Sequence, residues 1–377
     1  MVCLAGVLAA AAAGFARPAS PLGVSAAFQP WASSFMSASS GFVLGGIGCH
    51  FEINGAQPPC RPIVVATSDG GRSWRMLSAP PTLLPPAVTS AGAGGPAVRA
   101  ITFADPRNGW LYNPGLWATH DGGAHWTRST IKGFVLNVVA GGGWAYAAVA
   151  SANGIGAQSP SPTLLRSPVG RDDWRPVASL QGNVETSNFV SLLAASGNNA
   201  WAGTLATPTS TADLLWRSID GAPWQQVGNP CASGSLASLN ASSPSDLVML
   251  CAGRTVQIAT STDAGTHTHL TTAPGTEPVG PLAAPTNTTT TMVLATPNRT
   301  AIPPISGSPV VASWLARTDD GGRSWTRSAY QDHDVGWADL QFSSPTVGWV
   351  IHGYPGASID QLLRTTNAGK TFTPVRF

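Results

Sequence analysis

The chain reads Thr67-Ser68-Asp69-Gly70-Gly71-Arg72-Ser73-Trp74 at one point and returns to nearly the same eight residues at 119–126 and at 318–325. A fourth copy, residues 365–372, has Asn and Phe where the others have Asp and Trp. An Asp carboxylate accepts N–H bonds across a tight turn, and Gly adopts the positive φ that the turn needs. The stretch therefore predicts a turn between two strands of a hairpin, here called the aspartate turn. Its predicted structural residues are Asp69, Gly71, Trp74, Asp121, Gly123, Trp126, Asp320, Gly322, Trp325, Asn367, Gly369 and Phe372.

Three weaker copies complete a regular period. The seven copies begin at residues 67, 119, 167, 218, 261, 318 and 365, about 50 residues apart. Upstream of two of them, residues 102–110 and 341–349 share a Phe followed six residues later by Gly-Trp, which predicts an inner strand, a turn and a second strand. A four-stranded antiparallel unit repeated seven times, with aromatic residues between copies, predicts an all-β, seven-bladed β-propeller. The nine tryptophans in the two repeated positions are predicted core residues, and Trp325→Ala is expected to cost about 3–5 kcal/mol.

The composition agrees with an all-β chain and excludes several other classes. The 377 residues include 42 Gly and 32 Pro, which is too many for a helix bundle, and the Gly residues lack the three-residue period of collagen. Only three Glu and two Lys are present, so strong helix formers are scarce. The formal net charge of +2 lacks the basic excess of a nucleic-acid-binding domain. No nucleic-acid partner is predicted.

The N-terminus and the cysteines predict a location outside the cytoplasm. Residues 1–21 are expected to be a signal peptide or an N-terminal apolar segment, and residues 22–377 the propeller. No later run reaches the roughly 18 apolar residues of a membrane helix, so the mature chain is predicted to have no membrane span. It keeps Cys49, Cys60, Cys231 and Cys251, which allow three pairings. Local pairing of the first two and of the last two is the economical choice, with free thiols as the alternative. Two disulfides predict a secreted or extracytoplasmic protein.

The repeated turn resembles the Asp-box, or BNR, repeat of sialidases and related propellers. With the Phe and Gly-Trp segment added, the unit is similar to that of the Ycf48-like photosystem II assembly factors, over nearly the whole mature chain. The resemblance implies the seven-bladed fold. It implies less about function, since propellers with this repeat include hydrolases, lectins, sorting receptors and assembly factors. It also implies that the aspartate turns lie on the face opposite the binding site.

The candidate binding residues follow from that placement. They lie in loops that join second and third strands, or in connections between blades, where polar side chains of a propeller collect. The alternative interpretation is that these loops are simply the solvated part of the molecule. The candidates are His50, Glu52, Glu185, Arg254, Arg299, His333, His352 and Tyr354.

An enzymatic function would need more groups than these binding residues. A sialidase uses three Arg, a Tyr activated by a Glu, and an Asp acid/base, while other glycosidases use two carboxylates at a set separation. The candidate catalytic carboxylates are Asp332, Asp334 and Glu52, with Arg254 and Arg299 as clamps for an anionic sugar. Residues 266–269 predict two His on one face of a strand, which does not make a metal site. No metal and no cofactor are predicted.

The leading hypothesis is a secreted, monomeric, non-catalytic scaffold that binds a protein or glycan partner through these loops. The alternative is a glycoside hydrolase of sialidase-like type. A third hypothesis is a structural envelope protein in which residues 274–291 form a flexible insertion.

Overall fold

The computed structural model describes residues 28–49, 60–84, 98–150, 162–180, 192–204, 213–231, 235–274, 281–296, 313–332, 337–353 and 361–377. These residues form seven four-stranded antiparallel sheets, and none of them is helical. In every sheet the strands pair in chain order, from an inner strand beside the central axis to an outer strand at the rim. The predicted seven-bladed β-propeller is confirmed. The predicted N-terminal segment, residues 1–21, lies outside the described residues.

Each blade contains an inner, a second, a third and an outer strand. Blade one has β1 (Phe28–Phe35), β2 (Gly41–Ile47), β3 (Ile63–Thr67) and β4 (Arg75–Leu77). Blade two has β5 (Ala100–Phe103), β6 (Gly109–Tyr112), β7 (Leu116–Thr119) and β8 (Thr127–Arg128). Blade three has β9 (Phe134–Gly141), β10 (Trp144–Ala150), β11 (Thr163–Pro168) and β12 (Arg175–Ser179). Blade four has β13 (Leu193–Ser196), β14 (Asn199–Thr204), β15 (Leu214–Ser218) and β16 (Gln225–Gly228).

The remaining three blades follow the same order. Blade five has β17 (Ser235–Ala241), β18 (Leu247–Ala252), β19 (Gln257–Ser261) and β20 (His269–Thr272). Blade six has β21 (Leu282–Ala283), β22 (Met292–Thr296), β23 (Ser313–Thr318) and β24 (Thr326–Asp332). Blade seven has β25 (Trp337–Phe342), β26 (Gly348–His352), β27 (Gln361–Thr365) and β28 (Thr373–Pro374). The expectation of a flexible insertion at 274–291 is wrong, because β21 within it is the inner strand of blade six.

The hydrophobic core is divided among the blade interfaces. Seven clusters of buried apolar side chains occur, and each combines residues of two adjacent blades. The aromatic residue near the start of the second strand belongs to this core: Trp110, Trp201 and Trp349 are completely buried. In the first blade Phe42 takes this place and stacks on Phe103 of the second, with ring centroids 3.5 Å apart.

Close packing explains the Phe that precedes Gly-Trp by six residues. The Phe ring at the end of the inner strand lies directly over the Gly that begins the second strand. A Cβ on Gly109 would lie 2.5 Å from the Phe103 ring, and one on Gly348 would lie 2.6 Å from the Phe342 ring. Only glycine leaves room for the Phe ring at this position. The ring therefore packs against the strand where a side chain would otherwise project.

Two predictions about the tryptophans are wrong in detail. Trp144 is one of the nine tryptophans expected in the repeated positions, but strand register gives the buried second-strand position to Tyr146, which pairs with Arg166 as Trp110 pairs with Ala118. Trp144 is half-buried, and the Arg166 guanidinium stacks 4.2 Å above its ring. Among the turn tryptophans, Trp74 is buried, whereas the others are half-buried at the rim: Trp126, Trp174, Trp224 and Trp325.

The aspartate turn is held by one cluster of hydrogen bonds. In blade one the Thr67 hydroxyl donates to Asp69 Oδ1 (2.8 Å) and accepts the Gly71 N–H (2.8 Å). The same carboxylate accepts the Ser73 N–H (2.9 Å) and the Ser73 hydroxyl (2.6 Å). Gly71 lies at φ 84°, a conformation that a side chain would strain. The hydroxyl, carboxylate and glycine bonds recur in the turns that begin at Thr119, Ser261, Thr318 and, with Asn for Asp, Thr365.

Histidine replaces the serine of this cluster in two blades. His125 and His267 place Nδ1 2.6 Å from the carboxylate of their own turn. The prediction that His267 and His269 share one face of a strand is therefore wrong, because His267 belongs to the turn and only His269 lies in β20. The turns of blades three and four depart from the pattern, and there Ser167 and Ser218 bond to main-chain carbonyls instead.

The aspartate turns also tie neighbouring blades together. Trp201 Nε1 and Arg217 Nη1 of blade four both donate to the Ala264 carbonyl in the turn of blade five, each at 3.1 Å. Arg317 Nε of blade six donates to the Ala368 carbonyl in the turn of blade seven (2.7 Å). The turns of blades five and seven thus fix their own hairpins and also supply an acceptor to the preceding blade.

Both locally paired disulfides are present. Cys49 is bonded to Cys60, and Cys231 to Cys251, with a Cα–Cα distance of 5.6 Å in each pair. The first joins the ends of the loop between β2 and β3, and the second fixes the connection from blade four to β18. Within the described ranges there is no helix with the length and apolarity that a membrane crossing requires.

The difference in burial predicts a difference in stability. Trp349→Ala is expected to lower the free energy of unfolding by about 3–5 kcal/mol, as for a completely buried aromatic residue. For Trp325→Ala the value of about 3–5 kcal/mol expected from the sequence is corrected to about 1–3 kcal/mol, because its ring is half-buried. Urea unfolding of both variants, followed by tryptophan fluorescence, checks the order. A larger loss for Trp325→Ala would contradict it.

The carboxylates of the aspartate turns predict loss of stability in acid. Hydrogen bonds from Ser73 lower the pKa of Asp69 to about 2, and the pKa values of Asp121, Asp263 and Asp320 are also lowered by bonds within their turns. A depressed pKa in the folded state contributes stability that is present above the unfolded value, near 4, and is lost as the pH falls through the folded value. The midpoint of urea unfolding is therefore expected to fall between about pH 4 and pH 2.

A double variant isolates this contribution. Asn367 Nδ2 donates to the Thr371 hydroxyl (2.8 Å), so an amide can serve in the turn without titrating. Asp69→Asn with Asp320→Asn is expected to keep most of its stability at pH 7 and to lose less of it in acid than the wild type. An equally steep acid loss in the double variant would show that other groups control it.

Candidate functional site

The propeller has two different faces, defined here by their connections. The turn face carries the aspartate turns and the turns between first and second strands. Main-chain bonds join the two kinds of turn, such as Gly70 N–H to the Ser39 carbonyl (2.8 Å) and Gly122 N–H to the Arg107 carbonyl (2.9 Å). The loop face, at the other end of the strands, carries the loops between second and third strands and the connections between blades.

A cavity of about 270 Å³ lies on the axis. Inner strands of six blades line it, with residues from the end of β6. It extends to Arg99, Asn113 and Pro281, which lie next to the loop face. Several polar side chains lie among the apolar lining residues: Ser33, Arg99, Tyr112, Asn137, Asn240 and Asp339.

Asp339 lies at the junction of the last blade and the first. It has φ 57° within an irregularity of β25, where the pairing with β26 shifts between Ala338 and Gln341. Its Oδ2 accepts the Ser33 N–H and, at 2.9 Å, the Ser33 hydroxyl. Gln341 completes the junction, because its Oε1 accepts the Phe35 N–H and its Nε2 donates to the Ser33 carbonyl, both at 3.0 Å.

Burial makes this carboxylate unusual. Loss of solvation raises the pKa of Asp339 to about 6, although the two bonds from Ser33 act in the opposite direction. Part of its surface still faces the cavity, since the residue is half-buried. Among the described residues that line the cavity, it is the one carboxylate.

Tyr112 lies on the second blade and points its phenol at the same cavity. The hydroxyl lies 3.3 Å from both Thr102 Oγ1 and Asn137 Oδ1. Burial, together with the negative charge of Asp339, raises the pKa of Tyr112 to about 12, so the phenol stays protonated at neutral pH. A protonated phenol can donate a hydrogen bond to a ligand but is not an activated nucleophile.

Arg99 lies where the chain enters the inner strand of blade two. Its N–H donates to the Tyr112 carbonyl (2.8 Å), and burial lowers the pKa of its guanidinium. The site therefore holds a carboxylate near the axis and a guanidinium nearer the loop face.

Two residues from the predicted binding set are described, and they lie apart from the cavity lining. Arg254 is exposed in the short loop between β18 and β19. His352 ends β26 and is buried, with its ring 4.7 Å from that of Trp337. The structure does not bring these two together in the axial site.

The other predicted site residues fall outside the described residues. They belong to loops between second and third strands or to connections between blades, and they are His50, Glu52, Glu185, Arg299, His333, Asp334 and Tyr354. Asp332 is the last residue of β24, and its side chain is likewise not described. In the described part of the chain, no three His, Cys, Asp or Glu side chains form a group that could hold a metal ion.

The sequence contained one weak signal for the axial site. The Asp in Trp337–Phe342 and the Ser pair in Phe28–Phe35 are polar residues on two inner strands, which lie next to the axis. Their meeting could not be predicted, because Ser33 and Asp339 are separated by 306 residues.

The similarities to known proteins concern the fold. No family model matches the chain, and no curated protein matches its sequence significantly. A solved structure of Ycf48 bound to D1 peptide is 16% identical, with a TM-score of 0.54 over 90% of this chain and 92% of that one. Ycf48 from Cyanidioschyzon merolae is 12% identical, with a TM-score of 0.55 over 90% and 96%. A puromycin-hydrolyzing peptidase from Mycobacterium tuberculosis is 12% identical, with a TM-score of 0.59 over 93% of this chain and 54% of the peptidase. At these identities the likeness establishes a shared propeller fold, which hosts both binding proteins and enzymes.

The raised pKa of Asp339 predicts a second pH dependence. A carboxyl whose folded pKa lies near 6 and whose unfolded pKa lies near 4 contributes stability below the lower value, and this is lost as the pH rises through the higher one. Asp339→Asn, which keeps an acceptor for Ser33, is expected to flatten the change in stability between about pH 4 and pH 7. Urea midpoints across that range check this against Asp173→Asn, an exposed control. Identical profiles in both variants would contradict it.

Proposed function

We propose that the protein is a non-catalytic scaffold that binds a segment of a protein partner at the loop face, over the axial cavity. The observation that carries the proposal is the axial cavity itself. It reaches the loop face, and its lining residues are divided evenly between apolar ones and polar ones that can fix the orientation of a ligand.

The size of the cavity favours a side chain over a whole small-molecule ligand. Pockets for drug-sized ligands occupy about 300–1,000 Å³. A cavity of about 270 Å³ is below that range, so it has room for one side chain of a larger partner. The rest of such a partner would lie across the loops.

The chemistry of the described lining favours binding over hydrolysis. Glycoside hydrolysis by acid/base catalysis uses two carboxylates, and the described lining contributes Asp339. A sialidase-type mechanism needs an activated tyrosine, whereas the pKa of Tyr112 is raised. The solved structure of Ycf48 bound to D1 peptide gives a precedent for a peptide ligand on this fold.

The two disulfides support a location outside the cytoplasm, as the cysteine pattern predicted. Disulfides persist in oxidising compartments and are rare in the cytosol. We therefore propose a secreted or envelope-exposed scaffold, acting as a monomer.

Peptide selection tests the function directly. Peptides selected from a displayed random library on the purified protein are expected to bind in solution, as measured by fluorescence anisotropy. Asn240→Phe fills part of the cavity at a partly exposed lining residue. It is expected to weaken the affinity for the selected peptides about tenfold or more. Asn198→Phe, the same change at an exposed residue on the turn face, is expected to leave affinity within about twofold.

Two results would overturn the proposal. One is peptides that bind both variants equally well, which would remove the cavity from the binding site. The other is turnover of a fluorogenic glycoside, sialosides included, that disappears in Asp339→Asn or in Asp332→Ala with Asp334→Ala. That result would establish the hydrolase.

A further inference from the structure

The axial cavity contains a negative charge that no described cation neutralises. Both described bonds to the Asp339 side chain, from the N–H and the hydroxyl of Ser33, fall on Oδ2. These donors are uncharged groups. Burying a carboxylate without a cation is costly, because uncharged donors replace only part of its lost hydration.

The other titratable groups among the described lining residues do not neutralise the charge of Asp339. Arg99 lies at the loop-face end of β5, and the pKa of Asp339 is governed by burial and by Ser33, without a contribution from the guanidinium. The negative charge of Asp339 contributes to the raised pKa of Tyr112. The Tyr112 hydroxyl, however, is placed for hydrogen bonds with Thr102 Oγ1 and Asn137 Oδ1, and a protonated phenol carries no positive charge. The carboxylate therefore faces the cavity as an acceptor whose described hydrogen-bond donors are uncharged.

The walls around this acceptor suit a long flexible stem. Leu136 and Val139 are partly exposed lining residues that contribute apolar surface, while Asn240 and Ser238 add neutral polar groups. Lysine and arginine combine an apolar stem with a cationic end, and such side chains bury the stem while the charge finds a partner. A negative group in a cavity whose walls are partly apolar is the complement of that arrangement.

We propose that the axial cavity receives the ammonium or guanidinium end of a lysine or arginine side chain from the partner, and that Asp339 pairs with it. The proposal rests on the binding function proposed above and specifies the chemistry of the segment that enters. Binding of the cation replaces the missing counter-charge, so affinity depends on the ionised form of Asp339.

Small amines test this site without knowledge of the partner. The probes are butylammonium and butylguanidinium, which reproduce the two side-chain ends, with 1-butanol as the neutral probe of similar length. Ligand-observed NMR at constant ionic strength measures the affinity of each for the full-length protein. The cations are expected to bind at pH 7.5 and about tenfold more weakly at pH 5, because protonation of Asp339 competes with them. Butanol is expected to bind weakly at both pH values.

Variants locate the charge that is responsible. Asp339→Asn is expected to abolish the preference for cations over butanol, while Asp173→Asn is expected to retain it. The pH dependence in the wild type remains an independent readout if Asp339→Asn folds poorly. Equal binding of butanol and butylammonium, or cation binding that survives Asp339→Asn, would overturn the proposal.

Failure of the cation proposal can be distinguished from failure of the proposed scaffold function. Selected peptides whose affinity is unchanged when each Lys or Arg is replaced by norleucine would overturn the cation proposal and leave the scaffold standing. Amine binding at Asp339, together with a failure to select any peptide, would support the cation site and overturn the peptide scaffold.

Discussion

The architecture depends on a single hydrogen-bond cluster, in which one carboxylate or amide and one hydroxyl close the aspartate turn. In the first blade, Thr67 and Asp69 satisfy the main-chain N–H groups of the turn that would otherwise be left without partners. The turn then bonds to the neighbouring turn of its own sheet, and in blades five and seven its carbonyl accepts a bond from the blade before. A local solution to main-chain hydrogen bonding thereby sets the distance between blades, and the aromatic cores fill that distance.

The fold was accessible from the sequence because its determinants are local and repeated. Each aspartate turn is specified within eight residues, and the spacing of the Phe and Gly-Trp segment is fixed by the ring that covers the glycine. Errors arose where a blade departs from the consensus. Tyr146 replaces the expected tryptophan two residues after Trp144, and the short β21 lies in a Thr- and Pro-rich stretch that predicts no strand. In both cases pairing with neighbouring strands overrides local composition.

The axial site was not accessible in the same way. The binding residues predicted from the sequence are polar residues in loops, because loops carry function in most propellers, and most of them lie outside the described ranges. Asp339, Ser33 and Tyr112 lie instead on strands from three different blades, and only closure of the ring brings them together. No local pattern marks such a site, and its polar residues are noticeable only once the inner strands are aligned around an axis.

The way the ring closes has a mechanical consequence. Every blade is built from one continuous stretch of chain, so the first and last blades share no strand. Among the described residues, contacts made by side chains join them: the Phe28 and Phe377 rings at 4.6 Å, the Phe35 and Trp349 rings at 3.7 Å, and the bonds between Ser33 and the side chains of Asp339 and Gln341. At the other six interfaces the connecting chain keeps separated blades near each other. If the first and last blades separate at this seam, no short connecting segment holds them near each other. Re-forming their contact then requires closing a loop that contains the whole propeller. The entropy of loop closure consequently opposes formation of this seam more than that of the other six interfaces.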